Sequence, residues 1–153
     1  MIIMNYTNHG KAYQIQDIFE YIYDGLNYIN HQTNYDIRYL SFGINIVMES
    51  SIGDFYYDLI QNRRKYSNSR IFLIVTEPII DNVFNSSGLI IKDKLDEDIS
   101  TSDNYQNHAY WNKRYADFAL LVDHVDGLIT ISEDHIDMYK SFGKKIFYLP
   151  LIV

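Results

Sequence analysis

The chain has 153 residues, 47% hydrophobic and 22% charged, with a formal net charge of −7 at pH 7. That length suits one domain with a substantial core, and the acidic balance opposes binding to a polyanion unless a basic patch compensates. Cysteine is absent, which excludes disulfides and thiolate metal sites.

No apolar stretch reaches the ~20 residues that span a bilayer, so no transmembrane segment is expected. Residues Met1 to Thr7 lack the basic head and long apolar centre of a secretory leader, and a cytoplasmic protein is the expectation. The short basic clusters Arg63-Arg64-Lys65 and Lys144-Lys145 read as solvated element ends, so nucleic acid is not an expected partner. The 15 tyrosines fit either AT-rich codon usage or a carbohydrate-facing surface, and composition does not separate the two.

Taken in order, Ile2 to Tyr6 is a short apolar run expected to form a buried first strand, followed by a turn at Thr7 to Gly10. Ile15, Ile18, Phe19, Ile22, Leu26 and Ile29 recur at helical spacing and predict an amphipathic helix, mildly interrupted by Gly25. Tyr35 to Phe42 reads as a second strand and Asp54 to Tyr66 as a helix. Arg70 to Thr76 is the clearest strand, apolar throughout its centre as expected when helices cover both sheet faces.

Beyond Glu77-Pro78 the pattern breaks down. A short strand is expected at Leu89 to Ile91, and residues 93–104 read as a flexible acidic loop. The helical pattern resumes with Trp111, Tyr115, Phe118 and Val122, backed by Lys113, Arg114 and Asp117 as a polar face. The chain closes with a strand near Leu128, a helix capped by Ser132 and stopped by Gly143, and a strand through Phe147. This compact strand–helix–strand unit requires parallel strands. The alternation predicts a single Rossmann-like α/β domain over 1–153, an open parallel sheet with helices on both faces.

Motif tests remove several chemistries. Gly10-Lys11 occupies the first strand–helix junction, but Asn5 and Ala12 stand where a phosphate loop needs glycine and a hydroxyl. A dinucleotide fingerprint needs two further glycines there. The acidic run from Asp93 to Asp98 lacks the glycine and terminal glutamate of a calcium loop, and no His-Glu-x-x-His zinc motif occurs, so no metal site is expected.

Other residues are better placed. His9 lies at the carboxyl end of the first strand, where open α/β sheets bind ligands, and is a candidate general base. His108, at the start of the Trp111 helix, is a similar candidate, whereas His124 and His135 read as surface residues. Glu77 directly follows the most buried strand, so its carboxylate emerges at the sheet's carboxyl edge, and Pro78 stiffens the exit. Ser132-Glu133 takes the equivalent place one strand later.

The segment from Asp126 to Pro150 resembles the end of the N-terminal domain of GT-B glycosyltransferases. In those enzymes a strand ends in serine and an acidic residue, a helix follows, and a last strand ends at a proline before the interdomain hinge. Ser132, Glu133, Gly143 and Pro150 stand in the matching places, and the stretches from Arg70 to Ile79 and from Asn107 to Phe118 also look like such domains.

The resemblance implies an acceptor-side domain that binds no cofactor alone and is inactive by itself. Its nucleotide-sugar donor would be held by a second domain after Pro150 or by a partner subunit. An uncovered apolar end at Phe147, Leu149, Leu151 and Ile152 would then favour self-association. The implied cleft is built from the loops at His9-Gly10, Glu77 and Ser132-Glu133, with His108 nearby; His9 would deprotonate a sugar acceptor that Glu77 orients. Two departures stand out: the spaced pair of donor-binding glutamates common in that family has no counterpart, and the chain stops inside an apolar run. The competing expectation is a non-catalytic flavodoxin-like binding or interaction module, although Asn5-Tyr6-Thr7 lacks the acidic residues of a phosphoreceiver.

Overall fold

The computed structural model describes residues 2–5, 16–36, 43–49, 68–84 and 108–150. In chain order these form β1 (Ile2–Asn5), α1 (Gln16–Tyr28), β2 (Thr33–Asp36), β3 (Ile44–Met48), β4 (Arg70–Val75), β5 (Ile79–Ile80) and β6 (Val83–Phe84). They continue with α2 (His108–Leu121), β7 (Gly127–Thr130), α3 (His135–Tyr139) and β8 (Lys145–Tyr148). Short 3-10 turns at Val122–His124 and Lys140–Phe142 finish the last two helices.

Side-chain alternation along the central strands explains the layering. Val47, Ile71, Leu73, Val75 and Leu128 point to one face, where they pack with Trp111, Phe118 and Leu121 of α2 and Tyr139 of α3. Ile46, Met48 and Ile74 point to the other, against Ile22 of α1 with Ile18 and Leu26 beside it. Both faces of β3 and β4 are therefore dry, which is why the run from Ile71 to Val75 is apolar throughout. The sheet order is β2-β1-β3-β4-β7-β8, and every adjacent pair is parallel. The fold is thus a Rossmann-like α/β sandwich, as the alternation predicts. Its order turns back between β1 and β3, the doubly wound arrangement of flavodoxin-like sheets.

Several local expectations need correction. The strand expected over 35–42 falls at Thr33–Asp36, and residues 37–42 lie outside the described residues. The central strand β3 was not anticipated, because Asn45 interrupts its apolar run. Asn45 is fully buried and its amide donates to the carbonyls of Gly43 and Arg70, both at 3.3 Å, so a polar residue fits the interior. Ile29 lies past the end of α1 and is 59% exposed. There Asn30, at φ 61°, adopts the left-handed conformation while the His31 N–H reaches back to the Leu26 carbonyl, closing a Schellman-type end.

Beyond Pro78 the chain forms a β5–β6 hairpin rather than irregular loop. Asp81 and Asn82 both have positive φ, the geometry of a type I′ turn, and Phe84 returns to the core against Phe118 and Tyr115. The closing helix starts later than expected. Its cap position falls on Asp134, which makes no side-chain cap bond, so Ser132 is not the cap. Gly143, at φ 66°, does end the turn as expected. Residues 54–66, 89–91 and 93–104, where a helix, a strand and a flexible loop are expected, lie outside the described residues.

Among the described residues β8, at the far edge of the sheet, has one strand neighbour. Phe147 there is 38% exposed, edge-on to Phe72, and Leu149 is partly covered; Leu151 and Ile152 lie outside the described residues. Among the described residues no helix is long and apolar enough to cross a membrane.

Gly127 opens β7 between Phe72 and Lys145, and a Cβ there would meet the Lys145 carbonyl at 2.9 Å and the Phe72 ring at 3.1 Å. Backbone oxygen cannot yield as a flexible side chain would. Gly127→Ala is expected to destabilise the fold by about 1–3 kcal/mol through overpacking, read as a lower urea midpoint. An unchanged midpoint would mean that β8 shifts without cost.

Candidate functional site

Three neighbouring strands release polar residues at one edge. Glu49 follows β3 directly, Glu77 follows β4 by two residues, and Ser132 follows β7 by two. Because these strands are adjacent and parallel, their carboxyl ends form a common rim, where open α/β sheets bind ligands. The Thr130 hydroxyl accepts the Ser132 N–H at 3.2 Å and donates to the Ser132 carbonyl at 3.1 Å, folding the β7 exit into a tight turn.

Arg114 closes the rim from above. It lies three residues after Trp111 and four before Phe118, both buried, so helical geometry turns it inward with them. Its guanidinium stands over the Trp111 ring at 5.0 Å and the Phe84 ring at 5.8 Å. The fork then meets Glu49: Nε donates to Oε1 at 2.9 Å and Nη2 to Oε2 at 2.6 Å. Nη2 also approaches Oε1 of Glu77 at 3.5 Å. Side-chain exposure is 10% for Arg114, 1% for Glu49 and 15% for Glu77. This is a buried carboxylate–guanidinium–carboxylate cluster, with Glu77 the member nearest solvent. Burial pushes the Glu49 carboxyl above the usual carboxylate range; Arg114 opposes that rise by its charge and hydrogen bonds, and Glu77 adds to it.

The α3 helix fixes the Glu77 loop. The fully buried Tyr139 hydroxyl donates to the Glu77 backbone carbonyl at 2.7 Å. Burial, with Glu49 and Glu77 adding, holds that phenol protonated far above its ordinary range. One helical turn earlier on α3, His135 is half-buried. Its Nδ1 is buried and has no hydrogen-bond partner among the described residues. Desolvation pushes the imidazole below its ordinary value, with the charges of Glu77 and then Asp134 opposing. No cluster of three His, Asp or Glu side chains able to hold a metal occurs among the described residues.

Of the residues singled out from sequence, Glu77, Ser132 and Glu133 lie on this rim, with Glu133 exposed. His108 opens α2, the helix that carries Arg114. His9 and Gly10 lie outside the described residues. Two expectations are corrected: Arg114 belongs to the buried cluster rather than to a polar helix face, and His135 is half-buried rather than on the surface. Glu49 and Tyr139 were not anticipated. The signal for Glu49 was present, since Ile44 to Glu49 repeats the pattern of an apolar strand ending in glutamate seen at Arg70 to Glu77. Arg114 carried a signal too, through its spacing to Trp111 and Phe118.

Together these features define a Rossmann-like α/β domain with a buried ionic cluster at the carboxyl edge of its sheet. Comparison of the chain with protein-family models, with curated proteins and with solved structures gives no match.

Removing one partner of a buried ion pair leaves the other charge uncompensated. Arg114→Met is therefore expected to cost about 3–5 kcal/mol by urea unfolding, and Arg114→Lys to restore little because an ammonium lacks the fork. The double variant Glu49→Leu/Arg114→Met should recover much of the loss. A double variant no better than the single one would show that the pair itself, rather than the orphaned carboxylate, carries the stability.

His135 gives a pH test. Its ordinary value is 6.5 and its folded value is lower, so the unfolded chain binds more protons between the two. Stability tied to the neutral ring is fully present above the ordinary value and is lost as pH falls through the folded one. Thermal melts from about pH 7 down to about pH 5 should fall more steeply for wild type than for His135→Gln. Parallel curves would contradict the burial of this ring.

Proposed function

We propose that this domain is the acceptor side of a GT-B-type glycosyltransferase of the cytoplasm, holding a hydroxyl-rich sugar acceptor at the carboxyl edge of its sheet. One observation carries the reading. Glu77 is a largely buried carboxylate on that edge whose backbone carbonyl is anchored by Tyr139 and whose ionic contact among the described residues, to Arg114, is long. Arg114 spends its short, bidentate bonds on Glu49, which leaves Glu77 with lone pairs for ligand hydroxyls.

In the reaction, the acceptor hydroxyl oxygen attacks the anomeric carbon of the donor. The bond from that carbon to the nucleoside diphosphate breaks, the diphosphate leaves with the electron pair, and the hydroxyl proton passes to a base. Glu77 orients the acceptor and His9 is the candidate base. Gly10, Ser132, Glu133 and His108 are the candidate acceptor-binding residues. The nucleotide sugar is held by a second domain or partner subunit, and the exposed end of the sheet at Phe147 offers a surface for such a partner or for self-association.

A second reading has its own support. The strand order, turning back between β1 and β3, is that of flavodoxin-like modules, which bind ligands at that switch point without needing a second domain. In that case the domain is a non-catalytic binding or interaction module.

The test is transfer from a panel of nucleotide sugars to simple glycoside acceptors, using the natural gene product with any subunit that copurifies. Glu77→Ala and His9→Ala are each expected to lower transfer by about 10²-fold or more. Transfer unchanged in both variants would remove the site assignment. Absence of transfer, with saturable binding of a flavin or nucleotide, would favour the second reading.

A further inference from the structure

Strand β8 is an edge of the sheet among the described residues, and its register shows which backbone groups that edge leaves unused. The Leu149 N–H donates to the Thr130 carbonyl at 2.8 Å, and the Lys145 carbonyl lies against Gly127 of β7. Odd-numbered positions of β8 therefore turn their N–H and C=O groups towards β7, and the even-numbered ones, Ile146 and Tyr148, turn theirs away from the sheet. Pro150 is the next position on that outer side and carries no N–H, so the edge offers two donors and then stops. Side chains there are open as well: Phe147 is 38% exposed and Tyr148 44%. Phe147 meets Phe72 edge-on at 5.6 Å on one face of the sheet, whereas Ile146 packs with the α2–α3 cluster on the other.

We propose that β8 pairs antiparallel with β8 of a second copy about a two-fold axis at Phe147, joining two six-stranded sheets into one. In that register Ile146 faces Tyr148 of the second copy, and each exchanges its outward N–H and C=O with the other. The symmetric pair repeats this, giving four hydrogen bonds. The two Phe147 residues oppose each other as the non-hydrogen-bonded pair, with their side chains on one face.

Charge and chain geometry favour this register. A net charge of −7 opposes self-association in general, but Gly143 to Pro150 holds no acidic residue. Its two cations, Lys144 and Lys145, fall opposite Pro150 and Leu149 of the second copy, so no like charges meet. Moving the axis to Tyr148 sets Ile146 against Pro150 and forfeits a bond in each half. Moving it to Ile146 sets Tyr148 against Lys144, which lies outside the strand. A two-fold pairing uses both copies' β8 edges, so this contact closes at a dimer. The inference rests on the sheet alone and is independent of the transferase reading.

The chain has no cysteine, so a single introduced thiol reports the register directly. Opposed residues of a non-hydrogen-bonded pair have Cα atoms about 4.5 Å apart, within the span of a disulfide. Phe147→Cys should therefore oxidise readily to a covalent dimer. Tyr148→Cys should cross-link about tenfold more slowly, since the two positions 148 lie about 8 Å apart in this register. Analytical ultracentrifugation of the unmodified full chain should show a species of twice 18.1 kDa, with a dissociation constant of about 10 μM for so short an interface. Tyr148→Pro removes an outward N–H and no bond to β7, and should raise that constant about tenfold, with circular dichroism establishing that the variant is folded. The pairing is overturned by an unmodified chain that stays monomeric at about 500 μM, well above that constant. It is equally overturned by Phe147→Cys cross-linking no faster than Tyr148→Cys, or by a dimer unaffected in folded Tyr148→Pro.

Discussion

The Arg114–Glu49 pair is the constraint on which this architecture turns. A carboxylate ending the central strand β3 is buried under a helix, and only a guanidinium presented by that helix can neutralise it there. The bidentate geometry sets more than charge. It fixes where α2 lies over the sheet, because both nitrogens must meet both oxygens, and Trp111 and Phe84 enclose the guanidinium against its aromatic flank. Apolar packing of Phe118 and Leu121 holds α2 on the sheet, but that packing tolerates sliding that a two-point ionic contact does not.

The same pair prepares the rim. With Arg114 engaged by Glu49, its contact to Glu77 is long, and the Glu77 loop is held through the backbone by Tyr139. A carboxylate whose position is fixed through its main chain keeps its side-chain oxygens available. The β7 exit is organised by a comparable economy, with Thr130 satisfying both the N–H and the carbonyl of Ser132. Neighbouring strand ends are thereby hydrogen-bonded through their backbone groups while presenting polar side chains.

How the sheet is wound bears on what binds there. In a doubly wound sheet the crevice opens at the strand pair where the order turns back, here β1 and β3, and Glu49 sits at the carboxyl end of one of that pair. The ionic cluster extends from that crevice across β4 towards β7. Glu49 is buried beneath α2, so of the cluster it is Glu77 that lies nearest to anything binding at this rim.

The periodic parts of the chain were legible without coordinates. The apolar run from Ile71 to Val75, the stripe of Ile18, Ile22 and Leu26, and the glycine stop at Gly143 each follow from local rules of burial, helical spacing and backbone freedom. Glu77 was legible as well, because any residue just past a doubly covered strand must emerge at its edge. Strand β3 was hidden by Asn45, whose burial depends on carbonyls of Gly43 and Arg70 that only the folded sheet brings near. The hairpin at Ile79 to Phe84 was hidden by its brevity, though Asp81-Asn82 between apolar pairs was its mark. What tertiary structure alone decided is pairing. Glu49 and Arg114 lie 65 positions apart, and Tyr139 and Glu77 lie 62 apart. Periodicity reports which face a residue takes, but which charge meets which is set by strand order and by the helix laid across it, and neither is a local property of the chain.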